Sequence, residues 1–435
     1  LRHHEADVLA VAIIGITTFY VILGGLYSVV LTDVIQTVIL TLSGLFIAIV
    51  AWKSMTPQLL SRLPEDFASL KVPWRLPGFS GTENAQFELF GVMVLIWVFK
   101  GFLMNAGGPA QMYDFQRFLA ARNDRDAAKI GASWSIFLIV RWAMVMGIAL
   151  LALTGVTGVT DSEKIMPIIL KDYLPVGLRG LVIAGLLAAF MSTFSSTVNS
   201  GASFIVRDIW QPFIRRGASE RQSIKSAYWA TVLLVLLGVL IGFKGESIAG
   251  IWNWMMVALG GGVIIPNVLR WYWWRMNGWG YALGTLGGIT LSLTALFLKD
   301  VPSYVVFPMI VLASLLMSVL GSLLTRPVEY KILREFYSQV RPFGLWKPVK
   351  QETNMSSRKA DHRSESMWLA VVNVLLGMVA ISSLYLLPMY LVGHFYDHAF
   401  ICFCAAGLSA AALKFTWYDH LPRKYKEGKT GYRIP

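Results

Sequence analysis

Long apolar stretches alternate with polar connections along the whole chain. Each stretch has the roughly 20 residues that a helix needs to cross a bilayer. The pattern predicts about eleven transmembrane helices, at residues 8–29, 33–52, 89–108, 132–154, 178–204, 226–243, 247–269, 280–298, 303–324, 367–391 and 397–415. Because a backbone in lipid must satisfy its own polar groups, we expect an all-α polytopic membrane protein.

The connection between the first two predicted helices is short. Gly24 and Gly25 favour an end to the first helix, and Asp33 and Gln36 have the spacing of a capping box at the start of the second. The pattern predicts a tight hairpin. Asp33 has two interpretations: a helix cap worth about 1 kcal/mol, or a polar group that faces another helix.

The composition agrees with a membrane protein. Hydrophobic residues make up 56% of the chain, charged residues 14%, and the mean hydropathy is +0.58. Soluble domains carry about 25% charged residues, so this chain lacks the residues that cover a water-facing surface. We expect one integral helical bundle with the lipid bilayer as its main surroundings.

The net charge of +13 follows the predicted topology. If the helices alternate in direction, 26 of the 38 lysines and arginines lie in one set of connections and 10 in the other. This asymmetry predicts a cytoplasmic C-terminus and an outside N-terminal end. The basic character therefore does not indicate a nucleic-acid partner. Because the chain begins with Leu1, seven residues before an apolar stretch, we also expect further spans upstream.

A polar stripe interrupts one of the most apolar helices. The segment "AAFMSTFSSTVNSGAS", residues 188–203, contains eight hydroxyl or amide side chains. Small and polar residues recur there in steps of three and four, which places them along one helix face. Two interpretations remain open. Small residues allow close helix packing, and a row of oxygens can bind a hard monovalent cation.

Two cations, Lys100 and Arg141, lie inside predicted transmembrane helices. A charge at membrane depth is expensive and usually faces a cavity or a partner. Each cation could pair with a carboxylate on another helix, or bind an anionic or polar solute. Glycine-rich breaks at residues 105–111 and 258–267 have two interpretations as well: a close helix crossing, or the lining of a cavity, which we favour.

Motifs of catalytic sites are missing from the sequence. It contains no HExxH, no nucleophile elbow, no Walker A loop and no dinucleotide-binding glycine motif with a suitable acid. His394 and His398 have metal-ligand spacing with Asp397 between them, but no further ligand lies near these three residues in sequence. We therefore expect neither an enzyme nor an organic cofactor.

Four segments together resemble the sodium:solute symporter family, which includes sodium–glucose, proline, pantothenate and sialic acid transporters. They are "GGLYSVVLTDVIQ", "QRFLAAR", "LPVGLRGLVIAGLLAAFMSTFSSTVNS" continuing to "RDIW", and "WWRMNGWG". The resemblance extends over about residues 8 to 300. It implies the leucine-transporter-like fold of two five-helix inverted repeats, here lacking core helices one to three. The first two predicted helices would be core helices four and five.

The resemblance also implies sodium ligands. The main sodium site of the family joins core helix one to core helix eight, where its ligands match the Ala189 carbonyl, Ser192 and Thr193. A second site in some members matches Asp33 on core helix five with Ser192, Ser195 and Ser196 on core helix eight. Sodium is the implied coupling ion.

The substrate side departs from the sugar transporters of the family. Their gating tyrosine aligns with Gly107, their sugar-binding lysine with Leu138, and their glutamine with Asn253. A hexose is therefore not implied. The candidate substrate-binding residues are Lys100, Met104, Arg141 and Asn253.

The expected function is sodium-coupled symport of a small polar organic solute across the plasma membrane by alternating access. The alternatives are a sensory membrane domain of a signalling protein and a non-functional transporter fragment. The expected organisation is a transporter core at residues 1–325, a basic cytoplasmic linker at 326–366, and two C-terminal transmembrane helices with a cytoplasmic tail at 367–435.

Overall fold

A computed structural model describes most of the chain, namely residues 2–64, 66–80, 87–107, 118, 121–155, 162–243, 248, 260–295, 301–356 and 366–421. Within these ranges the regular structure is helical. The α-helices are α1 (Arg2–Ser54), α2 (Pro57–Leu60), α3 (Phe90–Ala106), α4 (Asp124–Gly155), α5 (Ile165–Tyr173), α6 (Val176–Phe204), α7 (Glu220–Gly242), α8 (Gly260–Tyr272), α9 (Gly278–Ala295), α10 (Ser303–Leu324), α11 (Tyr330–Val340), α12 (Lys347–Ser356), α13 (Met367–Val392) and α14 (Tyr396–Thr416).

The described residues contain seven helices that are long and apolar enough to cross a membrane. They span Leu31–Ser54, Asp124–Thr154, Val176–Ile214, Glu220–Gly242, Tyr304–Leu324, Met367–Val392 and Tyr396–His420. The prediction of an all-helical chain is confirmed for the part that the structure describes. The count of about eleven spans stays a prediction, because several predicted spans fall partly outside the described residues.

The predicted hairpin between the first two helices is wrong. A single helix, α1, runs through both predicted spans, and Asp33 lies inside it rather than at its start. Its amides are therefore already paired within the helix, which leaves no orphan donor for a cap at Asp33. A capping box forms instead at the start of α7, where Ser219 and Gln222 each accept a hydrogen bond from the other's backbone N–H.

The chain packs as two compact units that interleave along the sequence. The first contains residues 1–68, 116–244 and 371–435, and the second contains residues 69–115 and 245–370. Each unit combines separate stretches of the sequence, and neither unit has a boundary at residue 325 or 366, where the sequence predicts a division. Those boundaries stay a prediction.

In the first unit, the second half of α1 packs between α4 and α6. Small residues allow the close approach: Gly147 of α4 meets Ala51, and Gly44 of α1 meets Val140. Buried apolar side chains of α1, α4 and α5, with the end of α13, form the core of this unit. They are Ala48, Ala51, Met55, Ala143, Met146, Leu150, Leu151, Ile169 and Val392.

The second unit is built on α8, α9 and α10. Three serines spaced four residues apart on α10, Ser314, Ser318 and Ser322, have no exposed surface, and two of them face Gly280 and Gly284 of α9. Spacing of this kind brings two helix backbones close together. Ile264, Ile265, Phe307 and Val311 form the buried cluster on the side of α3.

The segment predicted as a basic linker, residues 326–366, contains two helices. Leu333 of α11 and Trp346 and Val349 near the start of α12 form a buried cluster with aromatic side chains. The basic composition of the segment hides this pattern, because its buried apolar residues alternate with charged residues and with exposed apolar residues such as Ile332 and Leu345.

Candidate functional site

The contact between α1 and α6 positions the predicted sodium ligands. Ser43 is 1% exposed, and its hydroxyl lies 2.7 Å from the carbonyl of Ile39 and 2.9 Å from the carbonyl of Leu181 on α6. A Cβ atom on Gly185 would lie 2.8 Å from Cβ of Ser43 and 3.5 Å from Cα of Leu40. The two helix backbones therefore approach so closely that a side chain larger than glycine does not fit at position 185. This crossing determines which turns of α6 face α1.

Asp33 and Ser192 meet at this same contact. The Ser192 hydroxyl donates a hydrogen bond of 2.6 Å to Oδ1 of Asp33. Both residues are half-buried, and they lie 159 positions apart in sequence. This distance lies at the short end of the range for O–H···O hydrogen bonds. The structure thus brings together two of the residues that the resemblance assigns to a second sodium site.

Other oxygen atoms surround this pair. Ser195 has no exposed surface, and its hydroxyl donates to the carbonyl of Ser192 at 3.0 Å. Tyr20, from the first half of α1, donates to the carbonyl of Met191 at 3.3 Å. Both halves of α1 therefore contact the same turn of α6, where hydroxyl, carbonyl and carboxylate oxygens lie together.

Gln36 also lies in this interface, although its spacing from Asp33 predicts only a capping box. It is 9% exposed, and its side-chain oxygen Oε1 is buried without a hydrogen-bond partner among the described residues. Asp33, Gln36, Leu40 and Ser43 are spaced three, four and three apart, so they share one face of α1. At one end of this face Asp33 contacts Ser192, and at the other end Ser43 contacts Gly185. The positions between these two ends therefore pack against α6. The capping-box spacing is also the spacing of one helical turn, and this is the signal that could have identified Gln36.

The remaining predicted sodium ligands differ in exposure. Ser196, one turn after Ser192, is half-buried, as is Ala189. Thr193 is exposed, about 100° around the helix from its neighbour Ser192. The contact between α1 and α6 therefore includes Asp33 and Ser192, while Thr193 lies on a face that α1 leaves open.

The candidate substrate residues are distributed over both units. Lys100 and Met104 are four residues apart on α3, so they share a helix face in the second unit, and Met104 packs against the cluster around Phe307. Arg141 is exposed on α4 in the first unit. Asn253 lies outside the described residues. Within the second unit, the structure thus places Lys100 and Met104 of this set together.

A sequence profile of the sodium:solute symporter family matches residues 4–288, which is more than half of the 435 residues. The chain belongs to the sodium:solute symporter family. The predicted resemblance is therefore confirmed.

Two relatives of this chain are transporters of different solutes. The osmoregulated proline transporter OpuE of Bacillus subtilis is 25% identical over 326 residues, which cover 72% of this chain and 63% of that protein. The sodium/glucose cotransporter of Vibrio parahaemolyticus is 27% identical over 328 residues, which cover 67% of this chain and 57% of that protein. The chain thus spans less than two thirds of the length of these relatives.

A solved structure shares the fold. The substrate-bound, outward-open structure of a Na⁺-coupled sialic acid symporter superimposes with a TM-score of 0.53 at 18% sequence identity, covering 74% of this chain and 68% of that one. At this identity the likeness shows the fold of the family member and not its solute.

Proposed function

We propose that this protein is a sodium-coupled symporter of a small polar organic solute, which works by alternating access across the plasma membrane with its C-terminus in the cytoplasm. The observation that carries the proposal is the hydrogen bond between Ser192 and Asp33 inside a helix interface rich in oxygen atoms. Family membership and the transporters of proline, glucose and choline among its relatives support it.

The chemistry of the interface suits sodium. A hard cation that sheds water needs oxygen ligands, and carboxylate, hydroxyl and carbonyl oxygens supply them. The single proton of the Ser192 hydroxyl points to Asp33, so the lone pairs of that hydroxyl remain available to a cation. We assign Asp33, Ser192, Ser195 and Ser196 to one proposed sodium site.

A second proposed site uses the face of α6 next to this one. Ala189 through its carbonyl, Ser192 and Thr193 match the ligands that the main sodium site of the family takes from core helix eight. The exposure of Thr193 leaves this face open to a partner segment. In the family that partner is core helix one, within the two inverted repeats of five helices.

Sodium entry supplies enough free energy to accumulate a solute. A tenfold inward gradient contributes about 1.4 kcal/mol, and a potential of 100 mV contributes about 2.3 kcal/mol per charge. An ion that fixes α6 against its neighbours also biases the protein toward one conformation, because a ligand shifts an equilibrium by its differential affinity. Coupling then requires that the solute bind best to the sodium-bound state.

Four residues are proposed to bind the solute. Lys100, Met104, Arg141 and Asn253 are the candidates, and the cations Lys100 and Arg141 favour a carboxylated solute over a neutral sugar. The organisation into a transporter core, a cytoplasmic linker and two C-terminal helices is proposed with the same function.

Binding of ²²Na⁺ to the purified full-length protein tests the proposal directly. We expect saturable binding that NaCl displaces and KCl does not, and a Ser192→Ala variant that binds at least about tenfold more weakly, a loss of about 1.4 kcal/mol. Ser200→Ala is the matched control, because Ser200 is a buried serine on the same helix without a place in either proposed site.

Solute coupling needs a separate measurement. Proteoliposomes with an inward sodium gradient should accumulate at least one member of a panel of proline, glucose, choline and sialic acid analogues. The proposed ion site would be wrong if Ser192→Ala bound sodium like the wild type. The proposal of symport would be wrong if sodium bound but drove no uptake of any polar solute tested.

A further inference from the structure

One end of the second unit carries polar N–H donors without acceptors. The Nε atom of Arg270, the indole Nε1 of Trp271 and the Nη1 atom of Arg275 are buried without a hydrogen-bond partner among the described residues. All three belong to the segment "RWYWWR", residues 270–275. Each missing hydrogen bond of a buried polar group costs about 1–3 kcal/mol, more for a charged group. Three unpaired donors within six residues indicate that a hydrogen-bond acceptor is needed at this end of the unit.

Hydrogen bonds place Arg275 where three helices of the unit begin or end. Its Nη2 atom donates to the carbonyl of Thr325, just beyond α10, at 2.9 Å. Asn277, just before α9, donates to the carbonyl of Arg326 at 2.9 Å. The end of α8, the start of α9 and the end of α10 therefore lie at the same end of the unit, where Arg270, Arg275 and Arg326 are concentrated.

The helices α11 and α12 fold over this end. The indole of Trp346 donates to the carbonyl of Trp271 at 2.8 Å, and the rings of Trp271 and Phe336 lie 5.8 Å apart. The rings of Trp274 and Tyr330 lie 5.7 Å apart. These contacts attach a cationic segment to the same place, because residues 326–350 contain six lysines and arginines and only two glutamates.

Exposed apolar side chains surround these basic residues. Trp279 at the start of α9 is 66% exposed, Leu324 at the end of α10 is 82% exposed, and Leu345 before α12 is 68% exposed. Aromatic and apolar residues beside arginine and lysine are typical of the level in a membrane where acyl chains meet headgroups. An excess of positive charge at that level attracts anionic lipid.

We propose that this basic aromatic end, defined by Arg270, Trp271, Arg275 and the helices α11 and α12, binds the phosphate headgroup of an anionic phospholipid. The guanidinium of Arg270 lies over the ring of Trp271, 5.7 Å from its centroid, and its Nε atom has no hydrogen-bond partner among the described residues. A phosphate offers the acceptor oxygens that these donors lack, and arginine can bind it through two N–H groups.

A lipid fits this end better than a free phosphate ion. A free ion would use the arginines but would leave Trp279, Leu324 and Leu345 in water, whereas a phospholipid covers them with its acyl chains. The binding would be independent of sodium and of the solute. It therefore goes beyond the proposed transport function.

Native mass spectrometry of the full-length protein tests the lipid site. Protein released from micelles that contain phosphatidylglycerol should retain more lipid than protein from micelles that contain phosphatidylcholine. The Arg270→Gln variant should reduce retention of phosphatidylglycerol about fivefold, the effect of losing one basic contact near a charged surface. Arg215→Gln is the matched control, because Arg215 is exposed in the connection before α7.

Each outcome of this experiment decides the proposal. Arg270→Lys separates charge from hydrogen bonding and should retain an intermediate amount of lipid. Equal retention of the two lipids, or equal losses in the Arg270 and Arg215 variants, would overturn the site. If inorganic phosphate alone raised the melting temperature as much as phosphatidylglycerol, the ligand would be a free anion and the lipid assignment would be wrong. Far-ultraviolet circular dichroism verifies that each variant is folded.

Discussion

The hydroxyl of Ser192 on α6 donates a hydrogen bond of 2.6 Å to the carboxylate of Asp33 on α1. A carboxylate inside an apolar helix usually faces a partner or a cavity. Here it stands beside the densest row of hydroxyl groups in the chain. The consequences can be tested residue by residue.

Asp33→Asn should weaken sodium binding while leaving the fold intact. The amide keeps an oxygen that can accept from Ser192, but it removes the negative charge that attracts the ion. We expect the dissociation constant for ²²Na⁺ to rise at least about tenfold, since 1.4 kcal/mol corresponds to that factor. If two ions bind, the Hill coefficient of sodium-dependent uptake should fall toward one, and Ser196→Ala should lower it as well.

Asp7→Asn is the control for this change, because Asp7 is an exposed acid on the same helix. It should leave both the dissociation constant and the Hill coefficient as in the wild type. Wild-type coefficients in Asp33→Asn and Ser196→Ala would contradict a second site and leave Asp33 with a structural role only.

Gln36→Leu should separate stability from ion binding. The buried Oε1 atom of Gln36 lacks a partner among the described residues, and such a group costs about 1–3 kcal/mol. Leucine of similar size removes that cost, so the melting temperature in sodium-free buffer should rise. The further rise caused by adding NaCl should shrink, because the variant offers one oxygen fewer beside Asp33.

Gln36→Glu is the complementary variant, since it adds a charge at the same position and should increase the stabilisation by NaCl. A lower melting temperature for Gln36→Leu together with an unchanged response to NaCl would show that Gln36 only packs against α6.

Sequence patterns identified the residues of this interface but not their neighbours in space. The serine row and Asp33 were recognisable because polar residues are rare in apolar helices. The residue pattern did not show their pairing, which the family resemblance alone implied, since a contact over 159 positions depends on the crossing of α1 and α6 at Gly185. The hairpin prediction failed because Gly24 and Gly25 lower helix propensity without forbidding a helix.

The same limit applies to residues 326–366, which their composition predicts to be a basic linker. Its charges are visible in the sequence, whereas its order depends on the rings of Trp271 and Trp274 from a different part of the chain. Local composition cannot show such a partner.

Gly185→Ala should disrupt the helix crossing that sets this register. The added Cβ would lie 2.8 Å from Cβ of Ser43, so one backbone must move. Gly180→Ala is the matched control on the same helix, because a Cβ there meets nothing within 4 Å. At an exposed helical position that exchange should stabilise by about 1 kcal/mol. We therefore expect opposite signs for the two changes in melting temperature, and a loss of sodium binding only in Gly185→Ala. The same sign in both would contradict a tight crossing.

Arg125 should hold the end of α14 against the start of α4. Its guanidinium donates to the carbonyls of Leu421 at 2.9 Å and Asp419 at 3.0 Å, and it lies 5.2 Å from the ring centroid of Tyr418. Asp419 lies in the short 3-10 turn that follows α14, and Leu421 lies just after that turn, so the guanidinium pairs with carbonyls beyond the helix. Arg125→Gln should therefore speed amide exchange after α14, at residues 417–421, with little effect on the middle of the helix.

Hydrogen–deuterium exchange with mass spectrometry measures this difference. Arg122→Gln is the control, because the side chain of Arg122 is 91% exposed and only approaches Asp126 at 3.6 Å. Arg125→Lys should show an intermediate rate, since lysine keeps the charge but cannot reach two carbonyls with a planar fork. Uniform acceleration over all of α14 would mean that Arg125 stabilises the whole helix, and unchanged exchange at residues 417–421 would mean that other contacts hold its end.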